Sequence, residues 1–549
     1  MPAPDPTAKK RDLAFWLDRG FLAACAIGIA YLLVQILLFA YGRDQGIYAV
    51  VADTILRGGM PYRDAWDFKP PGIYLVFTVI RALLGPAQIS VRVVEVLGLG
   101  SVVWAFAILA RRFFGSWRAG VAGGALAVLV FAQLEFWHTA QPETFGGMMI
   151  AWALVLATFE PDAADPHAQR KRIAALAASG ALYGFAALLK PPLGGGAVVS
   201  AAFAAVRARR SGARLGAQAL PFLVIGASSV AIFGSCALWF ALRGAWRDLH
   251  EALFVFTPHY TSLSWEDATI PGTMYLAIEE WLTHYSSANA AGMLAAVTLA
   301  PLAEREREGI LHVVGVALVQ LVGVGIQGKF FPYHYAAALM LGALIAGLGA
   351  YKLWLRAVTK PYWGVAVYVA LAILVLKGRT ATRDTSTDFI YRCMARIDYL
   401  FSARTKEMRD DLDKKLYSVA DVSFDADRRV ADLLRSRLGP SDLAFIWGFE
   451  PMIYDLSGRR PASRYIYNVP QRVEWFRDRA RPELMRDLSA HPPRAIVVEH
   501  RDVFPIVTGD SIDSADTLRT FPELQHFIWQ KYDLGATVED FEIYFEKGR

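Results

Sequence analysis

The chain has 549 residues, of which 55% are hydrophobic and only 20% charged, with a formal charge of +6. Apolar runs near the length of a bilayer-spanning helix recur from residue 20 to about 377, which excludes a soluble globular protein and describes a polytopic membrane protein. The positive charge does not point to nucleic acid, because Lys and Arg fall in short clusters between the apolar runs, the pattern that sets membrane orientation. Cys25 and Cys236 lie inside apolar runs and Cys393 stands alone, so neither a disulfide framework nor a CxxC metal spacing is available.

Taken in order, Lys9-Lys10-Arg11 keeps the N-terminus cytoplasmic, and the run from about Phe21 to Tyr41 reads as an uncleaved signal anchor. It delivers residues 42–72 to the outer face, a loop that holds Asp44, Asp53, Asp64, Asp67, Arg43, Arg57, Arg63 and Lys69 against the bilayer. The next apolar piece, Gly72 to Leu84, is short for a span and is placed as a re-entrant or juxtamembrane helix. Further spans are read at about 88–110, 118–136, 146–159, 173–189, 193–207, 217–242, 287–302, 310–327, 333–350 and 361–377, about eleven in all. The basic clusters Arg111-Arg112 with Arg118, Arg170-Lys171-Arg172, Arg207 to Arg214, Arg305-Arg307 and Lys352-Arg356 then share the cytoplasmic side.

An odd number of spans sends the remainder outside. Residues 378–424 are charged and helix-prone and read as a connector. From 425 to 549, helices at 427–438, 472–490 and 522–532 alternate with strands at 443–447, 495–499 and 541–545, predicting an extracytoplasmic α/β domain. No GxGxxG or P-loop is present, so nucleotide binding has no support.

In the first loop, Asp44 opens a helical pattern with Ile47, Tyr48, Val51 and Ile55 on one face and Gly58-Gly59 closing it. Asp44 could simply cap that helix. Against this, Asp64 and Asp67 recur after the turn Met60-Pro61-Tyr62, and Lys69-Pro70-Pro71 holds the backbone extended where the chain re-enters the bilayer. Carboxylates and a cation thus meet at the lipid boundary, an arrangement suited to a reaction between a water-soluble group and a lipid-bound one.

Asp-Gln-Gly-Ile-Tyr followed by Gly-Gly-Met-Pro-Tyr-Arg-Asp-Ala-Trp-Asp-Phe-Lys-Pro-Pro-Gly-Ile-Tyr resembles the first external loop of the GT-C membrane glycosyltransferases, in the bacterial branch related to protein O-mannosyltransferases and aminoarabinose-to-lipid-A transferases. The resemblance extends through Gln141-Pro142-Glu143 and the stretch Gly328 to Tyr335. It implies inverting transfer of a sugar from a polyprenyl-phosphate donor to a lipid, polysaccharide or protein acceptor outside the cytoplasmic membrane, with Asp44 as base. Many relatives carry a second acid beside this Asp, where this chain has Gln45. That tells against a mechanism or metal site needing an adjacent pair, and leaves a single-base mechanism intact.

Asp64, Asp67, Lys69, Glu143, Lys329, His334 and Tyr335 complete the predicted substrate-binding set. Lys329 and His334 are the better candidates in their cluster, since an aromatic belt explains the tyrosines equally well. Lys190-Pro191-Pro192 repeats the Lys-Pro-Pro sequence, with Lys190 read as a lysine snorkelling at a helix end in preference to a phosphate ligand. Arg92 and Glu95, three apart, read as a structural pair. The loop with His250, His259, His284, Glu266 and Asp267 lacks metal-site spacing, and no cofactor is expected. A transporter or flippase of a lipid-linked sugar is the alternative, disfavoured because the charges gather at one face instead of mid-membrane; a non-catalytic scaffold ranks last.

Overall fold

A computed structural model describes residues 6–548 apart from 163, 266–267, 285, 361–362, 364–365, 368, 371–372, 375–376 and 417–422. The bundle comprises α1 (Pro6–Leu37), α2 (Arg43–Leu56), α3 (Gly72–Leu84), α4 (Gln88–Phe114), α5 (Trp117–His138), α6 (Pro142–Ala157), α7 (Ala168–Leu189), α8 (Gly196–Arg210), α9 (Leu215–Leu242), α10 (Trp246–His250), α11 (Thr257–Ser262), α12 (Ile270–Thr283), α13 (Ser287–Thr298), α14 (Glu304–Gln327) and α15 (Ala336–Thr359). Among the described residues, seven helices are long and apolar enough to cross a bilayer: the apolar part of α1, then α4, α5, α7, α9, α14 and the segment Pro332–Thr359.

The expected spans at 146–159, 193–207 and 287–302 are shorter helices of 16, 15 and 12 residues. α6 is almost wholly buried, and a helix surrounded by other helices is not bound by the full bilayer length. Most of the expected span 361–377 lies outside the described residues, as do Glu266 and Asp267. Small residues set the closest crossings around the central helix α15: a Cβ on Gly347 would meet the backbone of Gly123 at 2.3 Å, and one on Gly349 the backbone of Gly292 at 1.8 Å.

α3 does not cross. Its Gly72 end rests on Leu188 and Leu189 at the end of α7, and Arg81, near its other end, pairs with Asp53 at 2.8 Å and with Asp455 at 2.8 Å. It therefore lies along one end of the bundle, as the juxtamembrane alternative expects.

Beyond the bundle, Ser386–Phe401 and Lys406–Leu416 are helical, and the C-terminal part is an α/β unit. Its five strands, β1 (Leu443–Trp447), β2 (Arg460–Pro461), β3 (Ala495–Glu499), β4 (Tyr532–Val538) and β5 (Phe541–Glu546), form a mixed sheet in the order β2-β1-β3-β5-β4. β1 is parallel to β2 and β3, and β5 is antiparallel to β3 and β4. Every residue of β3 is buried, as a central strand covered on both faces requires. β2 and β4 were not expected; β4 begins where the helix Pro522–Lys531 was predicted to continue.

This unit sits directly on the first loop. Gly46 of α2 approaches the backbone of Met452 so closely that a Cβ would come within 2.8 Å, and Trp66 N donates to Arg464 O at 2.7 Å. α2 is thus enclosed between bundle and α/β unit.

Candidate functional site

α2 starts from Gly42, whose N–H donates to Gln45 Oε1 at 2.8 Å. Gln45 also donates to the carbonyls of Phe136 and Thr139, which ties α2 to the end of α5. Asp44 makes no cap hydrogen bond; its carboxylate faces a cavity of about 640 Å³. Asp44 Oδ2 lies 2.7 Å from Lys69 Nζ and accepts from Gln141 Nε2 at 3.0 Å. Lys69 Nζ donates to Tyr48 Oη at 2.7 Å, and Tyr48 Oη donates to Gln141 Oε1 at 2.7 Å. Asp44, Lys69, Tyr48 and Gln141 form a closed hydrogen-bonded ring. Burial favours the neutral acid, but Lys69, by charge and hydrogen bond, with Gln141 and the nearby Arg43, holds Asp44 below the usual carboxylate range.

The second Lys-Pro-Pro segment reaches the same cavity because Gly72, just after the first, packs on the end of α7, just before the second. Lys190 does not snorkel. It pairs with Glu143, which opens α6 and is 1% exposed. Burial lowers the Lys190 pKa, with Glu143 opposing. Glu143 Oε2 has no hydrogen-bond partner. Lys329 also lines the cavity: its Nζ donates to Ile506 O at 2.7 Å and lies 4.2 Å from the Tyr260 ring centroid. Burial pushes its pKa down to about 8. His334 lines the wall edge-on to Tyr333, with ring centroids 4.6 Å apart, and its Nδ1 is buried without a hydrogen-bond partner.

Asp64 and Tyr335 lie outside the cavity, and Asp67 reaches it with both oxygens occupied. Asp64 is turned away from the cavity; it accepts from Met60 N at 2.7 Å and pairs with Arg63 at 2.7 Å, closing the turn that contains it. Tyr335 is fully buried against His284 outside the cavity, and Tyr333 lines the wall instead, since adjacent residues of the short 3₁₀ turn Pro332–Tyr335 point in different directions. Asp67 reaches the cavity, but both its oxygens are engaged: Tyr74 Oη and Tyr467 Oη each donate at 2.6 Å. Burial raises its pKa. Arg92 and Glu95 pair at 2.7 Å, fully buried, and hold the 136–140 turn through Thr139 Oγ1 and Ala140 N.

The sequence reading missed what the α/β unit supplies. Phe449, Tyr467, Phe504, Ile506 and Val507 cap the cavity. Arg43 pairs with Glu450 at 2.6 Å and lies over the rings of Phe504, Phe449 and Trp137 at 4.3, 4.8 and 5.5 Å. Such long-range docking carries no local signal. Glu135 was also missed: within α5 it adopts φ 63° and ψ 175°, a conformation nearly confined to glycine, and its carboxylate pairs with Arg392 and Arg396. The opposite wall is apolar, with Phe233, Cys236, Leu253 and Phe254, and Phe254 is 64% exposed. Among the described residues no cluster of His, Cys, Asp and Glu could hold a metal ion. The arrangement therefore brings a carboxylate and several cations together with apolar side chains in one cavity.

No family model matches the chain, and no curated protein sequence does. Solved structures do match. ArnT from Cupriavidus metallidurans bound to undecaprenyl phosphate superposes with a TM-score of 0.57 at 16% identity, covering 96% of this chain and 98% of that one. The apo state of the same protein gives 0.56 at 16% identity, with the same coverage. The oligosaccharyltransferase AglB from Archaeoglobus fulgidus gives 0.45 at 12% identity, over 87% of this chain and 69% of that one. At this identity the likeness speaks for architecture alone, and the architecture of this membrane protein is the fold seen in ArnT.

Proposed function

We propose that the chain is an inverting glycosyltransferase that moves a sugar from a polyprenyl-phosphate donor to an envelope acceptor at the outer face of the bacterial cytoplasmic membrane. The observation that carries this reading is the Asp44–Lys69 pair at 2.7 Å, set where an apolar channel meets a wall of cations. The prenyl chain lies along Phe233, Leu253 and Phe254, and its phosphate meets Lys69 and Lys329. That ArnT was solved with undecaprenyl phosphate supports a lipid carrier of this class.

In the reaction, the acceptor oxygen attacks the anomeric carbon, the bond from that carbon to the phosphate oxygen breaks, and the acceptor proton passes to Asp44. The leaving polyprenyl phosphate takes the bonding electrons, with the developing charge offset by the lysines. Before the donor binds, Lys69 keeps Asp44 ionised and weakly basic. An arriving phosphate draws Lys69 toward itself, loosening its hold on Asp44 and raising the basicity of the carboxylate as the acceptor is positioned. His334, buried and unpartnered at Nδ1, is placed to hydrogen-bond the sugar or phosphate. The α/β unit forms the roof and shapes acceptor entry.

The test is Asp44→Asn in full-length protein that retains its melting temperature and its affinity for the carrier. Turnover of a polyprenyl-phosphate sugar should fall by about 10²–10⁴-fold; turnover near the wild-type rate removes Asp44 from the base role. Comparing envelope glycans by mass spectrometry with and without the protein identifies both sugar and acceptor through the residue that goes missing.

A further inference from the structure

The end of the bundle opposite the cavity carries a second, basic pocket. α4 finishes there in Gly115, whose φ of 72° turns the chain sharply toward α5, and α14 begins there at Glu304. The two helix ends are pressed together at Gly309, where a Cβ would come within 2.5 Å of the Phe113 side chain. Arg305 lies one turn before Gly309 on the same face of α14, which sets it beside Arg111 and Arg112. Between them remains a pocket of about 560 Å³ lined by Ile108, Arg111, Arg112, Gly115 and Arg305, with no carboxylate in its lining.

The three guanidiniums are held differently. Arg112 Nη1 is fixed to the end of α6, donating to Val155 O at 2.5 Å and Thr158 Oγ1 at 3.0 Å. Arg111 and Arg305 make no hydrogen bond or ion pair among the described residues. Of the acids nearby, Glu308 pairs with Arg207 at 3.1 Å and Arg210 at 3.6 Å, Glu160 with Arg207 at 3.2 Å, and Glu306 with Lys352 at 3.0 Å, while Glu304 at the start of α14 stands outside the lining. Three guanidiniums around a pocket that no carboxylate lines favour an anion there. The planar fork of arginine matches phosphate oxygens in particular.

The helix face leading into the pocket favours an amphiphile over a free anion. Trp104, Ile108, Arg111 and Arg112 follow at helical spacing on one face of α4. Trp104 is 65% exposed and packs edge-on against Trp152 at 5.4 Å. An apolar strip, exposed at Trp104 and half-buried at Ile108, therefore runs along the helix into a cationic end, the layout of a basic headgroup pocket between membrane helices. We infer that this pocket binds the phosphodiester headgroup of an anionic lipid whose acyl chains lie along Trp104 and Ile108. The site is separate from the cavity around Asp44 and independent of the reaction proposed for it.

Native mass spectrometry of the full-length protein, equilibrated with equal amounts of phosphatidylglycerol and phosphatidylcholine, tests the inference. Wild-type protein should retain the anionic lipid about tenfold over the zwitterionic one, and the Arg111→Gln/Arg305→Gln double variant should lose that preference. Millimolar inorganic phosphate should leave the lipid bound, because it lacks the chains. Equal retention of the two lipids by the wild type, a measurement that requires no variant to fold, overturns the inference. So does full preference in the double variant, and so does displacement by inorganic phosphate, which would mark a site for a soluble anion.

Discussion

The two Lys-Pro-Pro segments place their lysines against carboxylates of the same cavity, yet the two pairs are built differently. Lys69 and Asp44 retain 18% and 22% of their side-chain exposure and belong to a ring in which Tyr48 and Gln141 complete the bonding. Lys190 and Glu143 retain 14% and 1%, and Glu143 Oε2 is buried with no hydrogen-bond partner. A pair that solvent can reach, cross-braced by neutral partners, can exchange those partners when a substrate arrives. A buried pair without bracing is committed to its partner. The difference separates a reactive pair from one that ties the start of α6 to the end of α7.

Breaking the first pair should have the larger effect on turnover. Asp44→Asn removes the base, and turnover should fall by about 10²–10⁴-fold with the melting temperature nearly unchanged. Breaking the second should act on stability: Lys190→Met leaves Glu143 buried without its cation, at a cost of about 3–5 kcal/mol, whereas the double variant Glu143→Gln/Lys190→Met should recover much of that. A double variant no more stable than Lys190→Met, measured by thermal unfolding in detergent, would contradict the division. Tyr48→Phe removes one brace of the reactive pair and should cost about 0.5–1.5 kcal/mol, read as a fall in kcat with little change in carrier affinity.

The smallest expected effect comes from pH. Burial lowers Lys329 to about 8, so the folded protein releases this proton more readily than the unfolded chain. The penalty for burying the charge is full below that value and is relieved as pH rises toward the ordinary lysine range, so this group adds stability on the alkaline side. Carrier affinity should move the opposite way, since about a tenth of the charge remains one unit above the pKa. Carrier binding measured at pH 7 and pH 9 should show this loss, and Lys329→Met should abolish the step.

The sequence made the helical membrane part and the site-bearing loop legible because both rest on local contrasts: long apolar runs, and charges held against them. Asp44, Lys69, Glu143, Lys329 and His334 do meet in one cavity. Asp64 misled because an acid near the boundary and an acid closing its own turn look alike in one dimension. Tyr335 was taken for Tyr333 because a 3₁₀ turn offers no periodicity from which to read direction. Lys190 looked like a snorkelling lysine because its partner lies 47 positions away. Phe449, Tyr467 and Phe504 could not be anticipated, since the docking of the α/β unit depends on contacts spanning most of the chain.

That docking has a mechanical consequence. Arg43, clamped by Glu450 and three aromatic rings, and Asp44, facing the lysines, are consecutive residues in the first turn of one helix. A displacement that frees the arginine from the α/β unit must rotate or shift that turn, and the carboxylate moves with it. The roof and the base thus share a single lever, so anything that lifts the one misaligns the other.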